Sequence, residues 1–186
     1  MQCSCSTKET NKCQIDDIPI PEITDDEILV KVGSASLCHS DLMLFDGSLP
    51  AEKPVVIGHE GVGYVESLGK NVTGFTKGDR IGFLYIKGCC CKLTIKSLSL
   101  VMDGLLSRLD QCDGCMVHNL NCSIGTPMIQ GFGCDGMLAE YTAIDKNNAI
   151  HLPDNLEMET SAPYFCAGIT GMPTFPKHYY ISTDSE

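Results

Sequence analysis

Two short stretches of the chain carry side chains that could hold a metal ion. The first is SLCHSDL, which contains Cys38, and the second is GHEGVG, which contains His59. A thiolate and an imidazole are ligands that suit zinc. Each residue alone also has an ordinary interpretation, because a single buried cysteine is usually a small hydrophobe and a single histidine usually belongs to the core or the surface. Residue type and spacing alone therefore leave both interpretations open, a shared metal site and two unrelated residues.

A cysteine cluster supplies a second set of candidate ligands. Three adjacent cysteines end at Cys91, and CDGCMVHNLNC follows from Cys112. The chain has 12 cysteines in all, and its first residues, MQCSCSTKETNKC, lack the apolar core of an export signal. C-x-x-C spacing in a chain without such a signal favours metal binding. A protein stabilised by disulfides is the weaker alternative, because that pattern is typical of secreted chains.

Charge and composition narrow the possible partners. The formal net charge is −11, and nucleic acids and anionic membranes both select basic protein surfaces. No apolar run approaches the ~18 residues that a membrane helix needs. We therefore expect a cytoplasmic protein with neither nucleic acid nor membrane as a partner.

Short β-strands are predicted to position these candidate ligands. Ile28, Val30 and Val32 recur with the two-residue period of a half-buried strand. Within VVIGHEGVGYVESLG, Gly58, Gly61 and Gly63 indicate a bulge or a close backbone approach in a further strand. FTKGDRIGFLYI and GFGCDGMLAEYTAI each read as a turn followed by a strand. The whole pattern predicts a mostly β fold of barrel or sandwich type.

Several of these motifs occur in an order that is specific to one family. CHSD at 38–41 is followed by GHEGVG at 58–63, by VESLGKNVTGFTKGDRI at 65–81 and by SAPYFCAGIT at 161–170. In this the chain resembles the zinc-containing alcohol dehydrogenases of the medium-chain dehydrogenase/reductase family, and it resembles their fungal members most. The resemblance covers residues 14–170 and implies a GroES-like catalytic domain, which is a partly open β-barrel with a zinc-binding lobe. It also implies oxidation of a primary or secondary alcohol to an aldehyde or ketone with NAD(P).

The resemblance implies a catalytic zinc site and the residues around it. In the family a cysteine of CH[ST]D, the histidine of GHE and a later cysteine bind the metal, and the matching residues are Cys38, His59 and Cys166. Two cysteines, one histidine and an open fourth position form a catalytic zinc set. Glu60 would lie beside the metal, and Asp41 matches a carboxylate that orients the histidine ligand.

Two further residues match functional positions of the family. Ser40 matches the hydroxyl that passes the proton of the alcohol outward, although without the resemblance it reads as an ordinary loop serine. His39 matches a position that often faces the pyrophosphate of the cofactor. Several members have a further relay histidine near the position of Met43, and this chain has none there.

The family also carries a structural zinc site, held by four cysteines in a lobe of the domain. Cys112, Cys115 and Cys122 match its last three ligands, but Leu109 stands where the first ligand is expected. We take Cys90 as the first ligand, because it is the residue that precedes the segment 91–110. Either of its two cysteine neighbours is an alternative.

The segment 91–110 interrupts the lobe and has two interpretations. Its apolar residues recur at helical spacing, which indicates an added amphipathic helix. Codons 91–92 can also be TGTAAG and codons 109–110 can be CTAGAC, which contain an intron start and an intron end. Removing the sequence between them leaves Cys90-Tyr-Gln-Cys112 and restores the C-x-x-C-x-x-C spacing. We favour a retained intron that is translated in frame.

The chain is thus predicted to have a polar leader at 1–13, the catalytic domain at 14–170 and an unrelated tail at 171–186. Codons 171–172 can again contain an intron start. No G-x-G-x-x-G motif follows a predicted strand, so we expect this chain to lack the Rossmann domain that binds NAD(P) in the family.

The partner implied by the resemblance is a small-molecule alcohol, and family members are homo-oligomers. A non-catalytic zinc-binding fragment is the alternative, and we expect the chain as written to be inactive or nearly so.

Overall fold

The described part of the chain is mostly β-strand. A computed structural model describes residues 2–6, 13–48, 54–87 and 128–171. The strands are β1 (Gln2–Ser6), β2 (Cys13–Asp17), β3 (Glu27–Ser36), β4 (Val55–Val56), β5 (Glu60–Leu68), β6 (Arg80–Phe83), β7 (Tyr141–Asp145) and β8 (Ala149–His151). The helices are α1 (His39–Phe45) and α2 (Ala167–Gly171), with 3-10 turns at Lys146–Asn148, Met158–Thr160 and Ala162–Phe165. The mostly β prediction is confirmed. Among the described residues, no helix has the length and apolar character to cross a membrane.

The main sheet has five strands in the order β7-β3-β5-β6-β8, and every neighbouring pair is antiparallel. The strand β3, which lies between β7 and β5, shows the predicted two-residue alternation. Ile28 and Val30 are fully buried, whereas Lys31 is exposed. One face of β3 therefore belongs to the core, as expected for a strand of a sheet with one buried face.

Glycine allows β3 and β5 to pack with an irregular register. The pairing shifts between Leu29 and Val30 and again between Val32 and Ser34. A Cβ atom added to Gly63 on β5 would lie 2.4 Å from the carbonyl oxygen of Lys31. This confirms the bulge and the close backbone approach that the glycines of this stretch indicated.

A second sheet of three strands has the order β2-β1-β4. The strands β1 and β2 pair antiparallel from Gln2↔Asp17 to Ser6↔Cys13, and β1 also pairs with β4. The segment 1–13, which the sequence identified only as a polar leader, thus contributes a strand to the domain.

Two clusters of apolar side chains form most of the core. The larger lies on the main sheet and comprises Ile28, Val30, Val65, Ile81, Phe83, Met137, Ile144 and Ala149. The smaller comprises Val62, Leu152, Met158 and Phe165. The smaller cluster fixes the 3-10 turn Ala162–Phe165 against the sheet, because Phe165 is the last residue of that turn.

The predicted structural lobe lies outside the described residues. This applies to Cys90, Cys112, Cys115 and Cys122, to the segment 91–110, and to the tail beyond Gly171.

Candidate metal centre

Neighbouring ends of β3 and β5 bring together the first two predicted ligands. The two strands are antiparallel, and the last residue of β3, Ser36, pairs with the first residue of β5, Glu60. Cys38 follows β3 by two residues, and His59 directly precedes β5. Because the end of one strand meets the beginning of the other, a short connection is enough to place the thiol next to the imidazole.

The third predicted ligand arrives from a distant part of the chain. Cys166 lies between the 3-10 turn Ala162–Phe165 and α2, and its neighbour Phe165 is buried in the smaller core cluster. The ligand atoms of Cys38, His59, Glu60 and Cys166 all lie within 4.8 Å of one another. The fold therefore gathers two thiols, an imidazole and a carboxylate into one group.

Asp41 orients this group from the first turn of α1. Its carboxylate is fully buried, and its Oδ2 accepts a hydrogen bond from the backbone N–H of Cys38 at 2.9 Å. Its Oδ1 accepts from the backbone N–H of Gly58 at 3.3 Å and lies 3.0 Å from Nδ1 of His59. A carboxylate can only accept here, so Nδ1 carries the proton and Nε2 keeps its lone pair for a metal. One side chain thus fixes the backbone of one candidate ligand and the ring of another.

Gly58 and two aromatic rings complete the support of His59. Gly58 has φ +95°, a conformation that favours glycine, and it directs the chain from β4 into β5. The His59 ring meets Tyr85 edge-on with centroids 5.4 Å apart, and it meets Phe132 at 5.2 Å. The imidazole is held on three sides and is only 3% exposed.

Glu60 is buried and is bound by a residue that the sequence did not single out. Its side chain is 3% exposed, and its Oε2 accepts a hydrogen bond from the hydroxyl of Ser36. Among the described residues, no lysine or arginine forms an ion pair with Glu60 or Asp41. Buried negative charge without such a partner favours a bound cation.

The two thiols of the group have pKa values shifted in opposite directions. Burial raises the pKa of the Cys166 thiol to about 12, and the nearby Cys38 and Glu60 add to this effect. Burial also acts to raise the pKa of the Cys38 thiol. The Ser40 backbone, the neighbouring His59 and the Ser40 hydroxyl outweigh it, so the pKa of Cys38 is lowered overall. Cys38 is therefore the more readily ionised of the two thiols.

The rings beside the thiols are shifted as well. Burial acts to lower the pKa of His59, but the hydrogen bond and the charge of Asp41 raise it overall. Burial is the main cause that raises the pKa of the Tyr85 hydroxyl, followed by the nearby charges of Cys166 and Cys38. Perturbed groups gathered in one buried place are typical of functional sites.

The structure places the two remaining candidates at the beginning of α1. Ser40 is half-buried, and its Oγ lies 4.0 Å from Sγ of Cys38. His39, the first residue of α1, is exposed and is not one of the four converging donors. Sequence reasoning missed Ser36, Tyr85 and Phe132. Only the register of β3 against β5 and the packing around His59 reveal them.

The donor set fits zinc by its chemistry. Two thiols and one imidazole nitrogen match the mixed sulfur and nitrogen ligands of catalytic zinc sites, which keep one position open. The tautomer that Asp41 imposes on His59 leaves the nitrogen that faces away from Asp41 available for coordination. Glu60 provides a buried carboxylate next to this set.

Comparisons with known proteins agree with this architecture. The chain is 31% identical over 159 residues to an alcohol dehydrogenase of Geobacillus stearothermophilus, and the match covers 84% of this chain and 41% of that protein. An alcohol dehydrogenase structure from Aeropyrum pernix superimposes with a TM-score of 0.68 at 26% identity, covering 92% of this chain and 46% of that one. A cinnamyl alcohol dehydrogenase from Sorghum bicolor shares the fold, with a TM-score of 0.73 at 21% identity, covering 93% of this chain and 46% of that one. The chain thus spans about two fifths of the length of the curated relative.

The family match covers the strands that hold the candidate metal centre. The alcohol dehydrogenase GroES-like domain is found at residues 24–154, which include Cys38, Asp41, His59 and Glu60. This chain therefore belongs to the alcohol dehydrogenase GroES-like domain family.

Proposed function

We propose that Cys38, His59 and Cys166 bind the catalytic zinc of an alcohol dehydrogenase. The observation that supports this best is the convergence of the two thiols and the imidazole, with Nδ1 of His59 held by the buried Asp41. Zinc bound there supplies a Lewis acid that makes the hydroxyl of an alcohol easier to deprotonate. The reaction class is oxidation of a primary or secondary alcohol to an aldehyde or ketone with NAD(P).

Residues around the metal ligands have supporting roles in this proposal. Asp41 fixes the tautomer and orientation of His59. The Ser40 hydroxyl, next to the thiol of Cys38, would relay the proton of the alcohol outward, giving up its own proton as it accepts that one. His39, exposed at the beginning of α1, contacts the pyrophosphate of the cofactor.

Alcohol oxidation also needs a hydride acceptor beside the substrate, which NAD(P) supplies in this proposal. The chain matches 41% of the length of its curated relative. We therefore propose the complete reaction for a protein in which this domain works together with a cofactor-binding domain. A small-molecule alcohol is the proposed substrate.

Metal content of purified variants tests the proposed zinc site. We expect Cys38→Ser and Cys166→Ser each to lose about one equivalent of zinc per chain, because either change removes one of the three protein ligands. Cys13→Ser is the matched control, since Cys13 is exposed on β2 and not among the converging donors. Equal zinc content in all three variants and the unmodified chain, measured by mass spectrometry of the metal, would refute the site.

A zinc-binding module without turnover is the second candidate function. The Glu60 oxygen within 4.8 Å of the other three ligand atoms favours it, because non-catalytic zinc sites have four protein ligands. Binding of NADH, followed by its fluorescence, separates the two functions. The enzyme hypothesis requires cofactor binding by the complete gene product, and the zinc-binding module requires none.

A further inference from the structure

Ser36 and Glu60 form a cross-strand pair at the edge of the candidate metal centre. They lie directly opposite each other, at the end of β3 and the beginning of β5. Directly opposed residues of an antiparallel pair project from the same face of the sheet. The Ser36 hydroxyl donates a hydrogen bond to Oε2 of Glu60.

This hydrogen bond limits what the carboxylate can do. Glu60 is 3% exposed, and one of its oxygens belongs to the group of donors that lie within 4.8 Å of one another. Among the described residues, no other side-chain oxygen or nitrogen donates to it. Ser36 engages Oε2. The other oxygen, Oε1, accepts no hydrogen bond from a side-chain oxygen or nitrogen of the described residues. Chelation of a metal by both carboxylate oxygens would therefore require the hydrogen bond to Ser36 to break.

Two cysteines and one histidine leave one coordination position unfilled, and Glu60 is the nearest buried anion that could fill it. We propose that Ser36 is a positioning residue that restrains Glu60, so that its carboxylate stays beside the metal and leaves the fourth position open to an incoming ligand. The inference rests on the proposed zinc site. It assigns a role to a residue that is not itself a proposed metal ligand.

Loss of the Ser36 hydroxyl has a definite physical consequence. A buried carboxylate without its donor retains its desolvation penalty. The positive charge nearest to it would then be a metal ion held by the three ligands, whose ligand atoms lie within 4.8 Å of a Glu60 oxygen. Glu60 becomes a competing ligand, and an external ligand binds less well.

Cobalt spectroscopy on the full 186-residue chain tests this inference. Co²⁺ accepts the ligands of zinc, and its visible absorption reports how many ligands surround it. Spectra are taken as differences from Cys38→Ser, so that absorption from any other cobalt site cancels. Imidazole, a small neutral ligand, probes the open position.

The variants are Ser36→Ala, Ser36→Thr, Glu60→Gln and the double variant Ser36→Ala/Glu60→Gln. Ser34→Ala is the matched control, because Ser34 lies on the same strand and its buried hydroxyl has no hydrogen-bond partner in the described part of the chain. We expect Ser36→Ala to shift the visible cobalt bands, because the Glu60 carboxylate then takes the fourth position, and to weaken the affinity for imidazole by about tenfold. Ser36→Thr and Ser34→Ala should match the unmodified chain, and the double variant should match Glu60→Gln alone.

Two results would overturn the inference and leave the zinc site intact. One is an unchanged spectrum and imidazole affinity in Ser36→Ala. The other is a Ser36→Ala effect that persists at full size when Glu60 is already Gln, since the carboxylate then plays no part in it. If the unmodified chain shows no cobalt bands that Cys38→Ser removes, the proposed zinc site fails together with the inference.

Discussion

At the scale of single residues, Asp41 links features that are far apart in sequence. Its two carboxylate oxygens contact the Cys38 backbone, the Gly58 backbone and the His59 ring. A buried carboxylate that serves three partners cannot be replaced by its amide without a mismatch. The NH₂ group of an asparagine would be turned toward at least one N–H donor.

We expect Asp41→Asn to weaken zinc binding by roughly 10–100-fold, because loss of a partner that orients a metal-bound histidine has this effect in other proteins. The affinity is measured by competition with a chromogenic chelator. Asp46→Asn, an exposed change just after α1, should leave it unchanged. Equal affinities for the two variants would show that Asp41 does not orient a metal ligand.

Zinc binding at this centre should release protons, because thiols bind zinc as thiolates. The pKa of Cys166 is raised to about 12, so this thiol is protonated at pH 7 and must lose about one proton when it binds the metal. The affinity should therefore rise with pH, by about tenfold per unit for each proton released. Titration calorimetry in buffers with different heats of ionisation counts the protons. Cys166→Ser should lose this binding event together with its proton release, and a release identical to that of the unmodified chain would contradict the assignment of Cys166 as a ligand.

The sequence reveals these residues unequally. Cys38 and His59 stand out by residue type and motif, whereas Cys166 could be paired with them only through the family resemblance. Ser36 and Tyr85 could not be found from sequence. A serine at the end of a strand becomes informative only when its cross-strand partner is known, and a ring contact depends on packing across several elements.

At the scale of elements, the site depends on the β3–β5 pair. The alternation of apolar residues predicted β3, and the glycines of the β5 stretch indicated a bulge or a close backbone approach. Alternation does not specify how many register shifts occur, since each shift depends on local sterics such as the approach of Gly63 to the Lys31 carbonyl. The pairing of Ser36 with Glu60, and hence the site geometry, follows from those shifts.

Gly63→Ala should therefore lower both the stability of the domain and its affinity for zinc. The added Cβ would lie 2.4 Å from the Lys31 carbonyl oxygen, so the two strands must separate. We expect a loss of about 1–3 kcal/mol in the free energy of unfolding, measured by urea denaturation, and a weaker affinity for zinc. Gly133→Ala is the control, because its Cβ would meet no atom closer than 3.8 Å. A Gly63→Ala chain as stable as this control would contradict the account of the β3–β5 register.

At the scale of the whole molecule, the position of hydride donor and acceptor decides whether turnover occurs. Holding two reactants in the right orientation lowers a reaction barrier by about 7–11 kcal/mol. The family orients the cofactor with a dinucleotide-binding domain. We expect the purified 186-residue polypeptide alone to bind zinc but to show no NAD-dependent ethanol oxidation, measured as NADH absorbance. The zinc content of the same sample is the control for folding. Turnover at a rate typical of enzymes would refute this prediction.

The last prediction concerns the cysteine cluster, where 91–110 separates Cys90 from Cys112. Replacing 91–110 by a single Tyr shortens the intervening loop from 21 residues (91–111) to two and restores the C-x-x-C-x-x-C spacing. Each doubling of loop length costs about 0.6 kcal/mol, so about three doublings correspond to about 2 kcal/mol, or roughly thirtyfold in affinity. We expect the shortened chain to bind structural zinc tighter by about this factor, measured by chelator competition in the Cys38→Ser background. The same replacement combined with Cys115→Ser should show no gain. An unchanged affinity would mean that the segment 91–110 does not hinder zinc binding by this lobe.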